Sequence, residues 1–125
     1  MKNTILVIDD EMSIRLLLDN YLSKKFTVVT RNDGFEGLKY LEEGNMPDVI
    51  VADIQMPNMD GYEFIDEVRA SGFFKHIPMI MLSGIESSKE RVKCLKSGAD
   101  DYLVKPFNPE ELAIRIENLI IRRRL

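Results

Sequence analysis

The sequence predicts an α/β domain built on a doubly wound, five-stranded parallel sheet in the strand order 2-1-3-4-5, with helices on both faces. Five short apolar runs mostly lack the alternation of a half-solvated strand, which indicates strands that are buried on both faces. Segments with helical spacing of apolar residues separate these runs, and strict alternation of strand and helix favours right-handed crossovers in that order. The predicted strands are 4–8, 26–30, 48–52, 79–82 and 102–104.

The helices between these strands are predicted from apolar spacing and from residues that favour helix ends. The first helix carries apolar residues at 14, 17, 18, 21 and 22, and the last at 112, 116, 119 and 120. Ser13 is expected to cap the first helix and Asp60 the third, because a side-chain oxygen there accepts a hydrogen bond from a free backbone N–H. Gly44 and Gly98 follow predicted helix ends, and Pro109 suits the first turn of the last helix.

The composition limits the class of protein. The 125 residues, of which 45% are hydrophobic, are sufficient for one domain, 1–125, with an ordinary core. The net charge of -4 argues against direct binding of nucleic acid by this domain, because such binding needs an excess of Lys and Arg. No apolar stretch approaches the roughly 20 residues of a membrane span, so we expect a cytoplasmic protein without membrane contact. Cys94 is the only cysteine, which excludes an internal disulfide.

Four of the five strands end at residues that can carry chemistry. In an open α/β sheet, ligands bind in the crevice outside the carboxyl ends of the strands. The predicted order makes the first and third strands neighbours, so we expect Asp9 and Asp10 to lie beside Asp53. Each residue alone also has an ordinary structural explanation, such as a helix cap or a solvated lysine. Four strand ends that carry such residues at one crevice nevertheless favour a functional site. The residues at these ends are Asp9 and Asp10, Asp53, Ser83 and Lys105.

The residue types at this crevice suit a phosphoryl group and a metal ion. At a separation of about 4 Å and an effective dielectric constant of about 20, each pair of these three carboxylates repels by about 4 kcal/mol. A proton or a divalent cation is therefore expected among them, and Mg²⁺ prefers such oxygen ligands. A carboxylate can itself be the nucleophile of phosphoryl transfer, with Lys105 as the fixed cation and Ser83 as a neutral donor. A cis bond before Pro106 is expected, because it would direct Lys105 into the crevice.

Four segments together closely resemble the receiver domain of bacterial two-component response regulators, in particular the receivers of winged-helix transcription regulators. They are Asp-Asp-Glu at 9–11, Asp-Ile-Gln-Met-Pro-Asn-Met-Asp-Gly at 53–61, Ser-Gly at 83–84 and Gly-Ala-Asp-Asp-Tyr-Leu-Val-Lys-Pro-Phe at 98–107. The resemblance implies a flavodoxin-like fold. It also implies that Asp53 accepts a phosphoryl group from the phosphohistidine of a sensor histidine kinase or a phosphotransfer protein.

The same resemblance assigns roles around Asp53. Asp10 would be a direct Mg²⁺ ligand and Asp9 a ligand through water, and the backbone carbonyl of Gln55 would be a further ligand. Ser83 and Lys105 would hold the phosphoryl oxygens. As the switch aromatic of the family, Tyr102 would turn inward when Ser83 moves. The domain would catalyse its own phosphorylation and dephosphorylation without turning over external substrates.

The resemblance extends to an output face on the fourth helix, fifth strand and fifth helix. Charged residues there match positions with which related receivers form a homodimer on phosphorylation, although exposed helix charges are also common without a partner. The chain would be either a receiver excised from a longer regulator with a C-terminal effector domain that controls transcription, or a stand-alone receiver. The matching residues are Arg91, Asp100, Asp101, Glu111, Arg115 and Arg122.

Two other protein classes share part of this pattern. A flavodoxin-type electron carrier has the same fold, but it needs a Gly/Ser/Thr-rich phosphate-binding loop where this chain has acidic residues. A haloacid-dehalogenase-type phosphatase also forms an aspartyl phosphate with Mg²⁺, but its nucleophile follows the first strand in an Asp-x-Asp pattern. Here the third position is Glu11, and Asp53 would then have no role. The receiver is therefore the favoured interpretation.

Overall fold

The computed structural model describes residues 2–124, which form a single parallel sheet flanked by helices. The strand order is β2-β1-β3-β4-β5, so the predicted fold class and order are confirmed. The strands are β1 (Thr4–Ile8), β2 (Thr27–Arg31), β3 (Val49–Asp53), β4 (Met79–Ser83) and β5 (Asp101–Val104). The helices are α1 (Met12–Leu22), α2 (Gly34–Glu42), α3 (Gly61–Ala70), α4 (Ser88–Ser97) and α5 (Pro109–Arg124).

The two faces of the sheet carry separate cores. Leu6 and Ile8 of β1 belong to the core beneath α2, α3 and α4, whereas Ile5 and Val7 belong to the core beneath α1 and α5. One strand contributes to both cores because successive side chains point to opposite faces of a sheet. Every residue of β3 and β4 is buried, while the edge strand β2 is partly exposed.

The register of the strands brings their carboxyl ends level. Ile8 pairs with Ala52, which directly precedes Asp53, and Asp53 in turn pairs with Leu82. Ser83 pairs with Val104 at the end of β5. The residues that end or follow β1, β3, β4 and β5 therefore share one edge of the sheet.

The predicted helix ends are confirmed except at α1. Asp60 forms a capping box, in which its Oδ1 accepts from the Glu63 N–H at 2.9 Å and the Asp60 N–H donates to Glu63 Oε1 at 3.2 Å. The prediction that Ser13 caps α1 is wrong, because α1 begins at Met12 and its cap residue is Glu11. The start of α1 is set instead by Asp9, whose Oδ1 accepts from the Glu11 N–H at 2.9 Å.

Several backbone features shape the loops at the ends of the helices. Gly44 and Gly98 follow α2 and α4 with φ values of 97° and 121°, a region that favours glycine. Pro109 is the first residue of α5, and the bond between Lys105 and Pro106 is cis. Of the helices the structure describes, none has both the length and the apolar character needed to cross a membrane.

Candidate functional site

The carboxyl edge of the sheet brings three acidic side chains together. Carboxylate oxygens of Asp9, Asp10 and Asp53 all lie within 4.8 Å of one another. Asp9 is fully buried and Asp53 is 3% exposed, whereas Asp10 is exposed to solvent. Within residues 2–124, no other group of three acidic, His or Cys side chains converges in this way. The cluster is thus open on the side of Asp10 and closed around Asp53.

Asp53 ends the buried strand β3, and its surroundings disfavour its charge. Burial raises the pKa of its carboxyl from 3.8 to about 6, the charge of Lys105 acts in the opposite direction, and Asp9 adds to the rise. The backbone N–H of Gln55 donates to Asp53 Oδ1 at 3.3 Å. At neutral pH the carboxylate is therefore largely ionised, and it is less well stabilised there than it would be in water.

Lys105 follows β5 and provides a fixed cation among these carboxylates. Its Nζ lies 2.9 Å from Asp9 Oδ2, 3.3 Å from Asp53 Oδ2 and 3.4 Å from Glu11 Oε1. Burial of Lys105 acts to lower its pKa, but the hydrogen bond to Asp9 and the charges of Asp53 and Asp9 outweigh that effect and raise it. Lys105 therefore stays protonated at neutral pH.

Ser83 ends β4 next to an open loop position. Ser83 is fully buried, and its Oγ accepts a hydrogen bond from the Ile85 N–H at 3.1 Å. Gly84 is exposed, and the nearest atom to a Cβ built there would be Gln55 Oε1 at 4.0 Å. The side chain of Gln55 thus lies across the loop from Gly84, at van der Waals distance from the place that a Cβ would take.

Tyr102 is connected to Ser83 through a single residue. Its side chain is 1% exposed, and its hydroxyl donates to the carbonyl oxygen of Ile85. Ser83 Oγ accepts from the N–H of that same Ile85. The guanidinium of Arg91 lies 5.3 Å from the centre of the Tyr102 ring. A displacement of Ile85 would therefore act on Ser83 and Tyr102 together.

Two contacts at the site lie outside the sequence predictions. Glu11 reaches Lys105 from the end of the acidic segment, at the 3.4 Å given above. Arg15 donates from Nη1 to the carbonyl oxygen of Asp9 at 2.7 Å. Arg15 follows Glu11 by four residues, about one helical turn, so a helix that begins at Met12 returns this side chain toward the end of β1. Recognising the earlier start of α1 would have identified this contact.

Gly61 explains how the loop after Asp53 packs so tightly. A Cβ built on Gly61 would lie 2.6 Å from the Cα of Ile54 and 2.9 Å from the carbonyl oxygen of Asp53. The Gly61 N–H also donates to the carbonyl of Ile54 at 2.7 Å. Any side chain at this position would push α3 away from the end of β3.

Five of the six charged residues of the predicted output face make contacts within the described chain, and Arg122 is the exception. Arg115 Nη1 contacts Asp101 at 2.8 Å and its Nη2 contacts Glu111 at 2.8 Å, and hydrogen bonds to Asp101 and Glu111 raise the pKa of Arg115. Asp100 is held by Arg69 at 3.0 Å and by the Met79 N–H at 2.8 Å. Arg122 is exposed on α5, and Arg91 covers the ring of Tyr102.

The donor set of the acidic cluster fits a hard divalent cation such as Mg²⁺. All of its candidate ligand atoms are carboxylate oxygens, the type that Mg²⁺ prefers. Both oxygens of Asp9 already accept hydrogen bonds, from the Glu11 N–H and from Lys105. Asp10 is exposed, and its carboxylate makes no hydrogen bond or ion pair with the residues described here. Asp10 is therefore the carboxylate most open to a cation.

Comparison with known proteins agrees with this geometry. The family model of the response regulator receiver domain matches residues 5–117 of the chain. The probable transcriptional regulator ycf27 of Guillardia theta is 43% identical over 122 residues, which cover 97% of this chain and 46% of that protein. The hybrid signal transduction histidine kinase D of Dictyostelium discoideum is 36% identical over 123 residues, which cover 98% of this chain and 8% of that protein.

Solved structures show the same similarity. The Francisella response regulator 1452 receiver domain has a TM-score of 0.90 at 34% identity, with 97% of this chain and 98% of that chain covered. The chemotaxis response regulator CheY4 of Vibrio cholerae has a TM-score of 0.89 at 34% identity, with 95% of this chain and 99% of that chain covered. The chain spans about half the length of the ycf27 relatives and less than a tenth of the kinases.

These matches cover nearly the whole described fold, including the carboxyl edge of the sheet with its acidic cluster. Receiver domains act as phospho-accepting switches in two-component signalling and use Mg²⁺ at an acidic pocket. The chain belongs to the response regulator receiver domain family.

Proposed function

We propose that Asp53 accepts the phosphoryl group in this receiver, from the phosphohistidine of a sensor histidine kinase or a phosphotransfer protein. A carboxylate oxygen of Asp53 forms the new P–O bond as the P–N bond of phosphohistidine breaks, and the histidine ring, which carries a proton on its other nitrogen, leaves as neutral imidazole. Later attack by water breaks the P–O bond, releases inorganic phosphate and restores the carboxylate. The domain thus catalyses its own phosphorylation and dephosphorylation without turning over external substrates.

The observation that carries this proposal is the pairing of Asp53 with Lys105 inside a closed part of the crevice. Asp53 is the buried strand-end carboxylate whose pKa is raised by burial, and Lys105 lies 3.3 Å from its Oδ2. A phosphoryl group on Asp53 would bring negative charge to the place where Lys105 is already fixed. Lys105 would exchange part of its contact with Asp9 for the new oxygens.

We assign the metal ligands on the same grounds. Asp10 is the direct ligand of Mg²⁺ in this proposal because its carboxylate is the open one, and Asp9 acts through water because its oxygens are occupied. The phosphorylated Asp53 and the backbone carbonyl of Gln55 complete the protein ligands. Bound Mg²⁺ would neutralise charge on the transferred phosphoryl oxygens.

Ser83 and Tyr102 carry the signal away from Asp53 in this proposal. Ser83 would donate its hydroxyl hydrogen to a phosphoryl oxygen and move toward it. That movement would loosen the hydrogen bond between Ser83 Oγ and the Ile85 N–H, and Ile85 also holds the hydroxyl of Tyr102. Tyr102 is already turned inward, with its side chain 1% exposed, so a shift of Ile85 would change the hydrogen bond that holds this ring and with it the face of α4, β5 and α5.

The output proposed for this face is a two-fold homodimer that controls transcription through an effector domain, as the ycf27 relatives are named transcriptional regulators. In the dimer, the partners of Arg115 would be exchanged between copies. A stand-alone receiver read by a partner protein is the alternative. We place the domain 1–125 in the cytoplasm, without direct contact to nucleic acid or membrane. The proposed face carries Arg91, Asp100, Asp101, Glu111, Arg115 and Arg122.

Phosphorylation by a small phosphodonor tests the central assignment. With acetyl phosphate and Mg²⁺, intact-mass measurement should find one added phosphoryl group per chain, and Asp53→Asn should abolish it. Asp60→Asn is the matched control, because it changes another aspartate of the same segment and Asn also caps helices well. Equal labelling of the Asp53→Asn variant would overturn the assignment.

A further inference from the structure

A groove of about 500 Å³ lies between α2 and α3, on the side of the sheet away from α1 and α5. Phe35, Leu38, Met59 and Phe74 form its apolar part. Phe35 is 55% exposed, and Phe73, the chain neighbour of Phe74, is 83% exposed. No other aromatic side chain in the described part of the chain is as exposed as these two. Of these two, only Phe35 lines the groove, where it offers an exposed aromatic ring against which a partner's side chains can pack.

One end of this α2–α3 groove is negatively charged. Glu42 and Glu67 line it, both are exposed, and neither makes an ion pair or a hydrogen bond with any residue in the range 2–124. The carboxyl ends of both helices lie at this end, because α2 ends at Glu42 and α3 at Ala70, and helix carboxyl ends carry partial negative charge.

The basic residues in the last turns of α2 and α3 do not neutralise these glutamates. Lys39 lines a neighbouring groove with Arg31 and Tyr40, on the other side of Phe35, which lines both grooves. Arg69 donates to three backbone carbonyl groups and to Asp100, so its guanidinium is fully engaged elsewhere. Within the described residues, Glu42 and Glu67 therefore have no ion-pair partner, and no basic side chain lines the α2–α3 groove.

A second groove, between α1 and α5, shows the contrasting case. Its walls include Ile114 and Glu117, but also Lys24 and Lys25. Lys25 forms an ion pair with Glu117 at 3.1 Å, so this groove has its charges balanced within the chain. Apolar lining is common to both grooves, but two glutamates and two lysines line the groove between α1 and α5, whereas two glutamates and no basic residue line the one between α2 and α3.

We propose that the α2–α3 groove docks a basic amphipathic helix of a partner protein. Apolar side chains of that helix would pack against Phe35 and Phe74, and its Lys or Arg side chains would face Glu42 and Glu67. The nine residues of α2 span about 14 Å, which matches a docked helix of roughly two to three turns. The residues that line this groove include neither Asp53 nor any residue of the α4, β5 and α5 face, so the proposal goes beyond the proposed function.

A synthetic peptide provides the probe. A stapled helix of about three turns, with leucines along one face and lysines beside them, is titrated into the isotope-labelled protein while backbone amide shifts are followed. We expect shifts confined to residues 34–42 and 59–74, binding that weakens as salt increases, and no binding of the same peptide with glutamate in place of lysine.

Matched double variants test the residues. Phe35→Ala with Glu67→Gln should weaken peptide binding by about tenfold or more, because it removes an aromatic anchor and an unpaired charge. Ile114→Ala with Glu110→Gln makes the equivalent change in the second groove, at a side chain that is 51% exposed, and should change affinity by less than about twofold.

Three results would overturn the proposal. The first is the absence of shifts at 34–42 and 59–74 at the highest peptide concentration. The second is equal binding of the lysine and glutamate peptides, which would leave no role for Glu42 and Glu67. The third is a shift of the same amides that depends on protein concentration in the absence of peptide, which would assign the groove to a second copy of the chain.

Discussion

Replacing Asp53 by Asn should stabilise the metal-free domain, because the folded state disfavours the charge at this position. The difference between the ordinary pKa of 3.8 and the raised pKa of about 6 corresponds to about 3 kcal/mol. A raised carboxyl pKa means that the folded state binds the proton more tightly than the unfolded state. Proton binding by Asp53 therefore stabilises the folded state. This contribution is fully present below pH 3.8 and is lost as the pH rises through about 6.

The asparagine cannot ionise, so it should avoid the loss, and Lys105 retains Asp9 as its partner. In urea unfolding with a chelator present, we expect Asp53→Asn to gain about 3 kcal/mol at about pH 8 and roughly half of that at about pH 5, where much of the wild-type Asp53 is protonated in the folded state. Asp60→Asn is the matched control and should stay close to the wild type, since the cap is kept. A variant no more stable than the wild type at the higher pH would refute the reasoning.

Three further outcomes follow from the site and the output face. Asp10→Ala should weaken Mg²⁺ binding more than Asp9→Ala in a calorimetric titration, and the opposite order would exchange the two roles. Ile85 is 40% exposed beside the site, and its side chain has no polar group that could orient the attacking water. Ile85→Glu should therefore speed phosphate loss after the donor is removed. An unchanged rate would show that this side chain does not control the attack of water. In light scattering, the phosphorylated domain should dimerise at low salt and to a smaller extent at high salt. A monomer at every salt concentration would contradict the proposed dimer face.

The fold could be predicted because its signals are local. Apolar runs and residues such as Gly98 and Pro109 report strand and helix limits from short segments, and the buried strands follow from them. Both β2 and β3 begin and end one residue later than predicted, and β3 therefore includes Asp53. Phe26 is buried, but its N–H donates to the carbonyl of Leu22, so it belongs to the turn after α1.

The parts of the site that could not be predicted depend on contacts between distant segments. Arg15 reaches the carbonyl of Asp9 only because α1 begins two residues earlier than a Ser13 cap would allow. The link from Ser83 to Tyr102 runs through the backbone of Ile85, and no periodic pattern encodes a backbone contact between loops. Residue types and strand ends were sufficient to select the candidates, but their mutual orientation required the folded chain.

The location of the acyl phosphate tests the central claim most directly. After reaction with acetyl phosphate and Mg²⁺, borohydride reduction converts a phosphorylated aspartate to homoserine, which peptide mass spectrometry can locate. We expect homoserine at position 53 and at no other aspartate. Homoserine at position 9 or 10 would contradict the receiver chemistry, because it would place the nucleophile after β1, as in a haloacid-dehalogenase-type phosphatase.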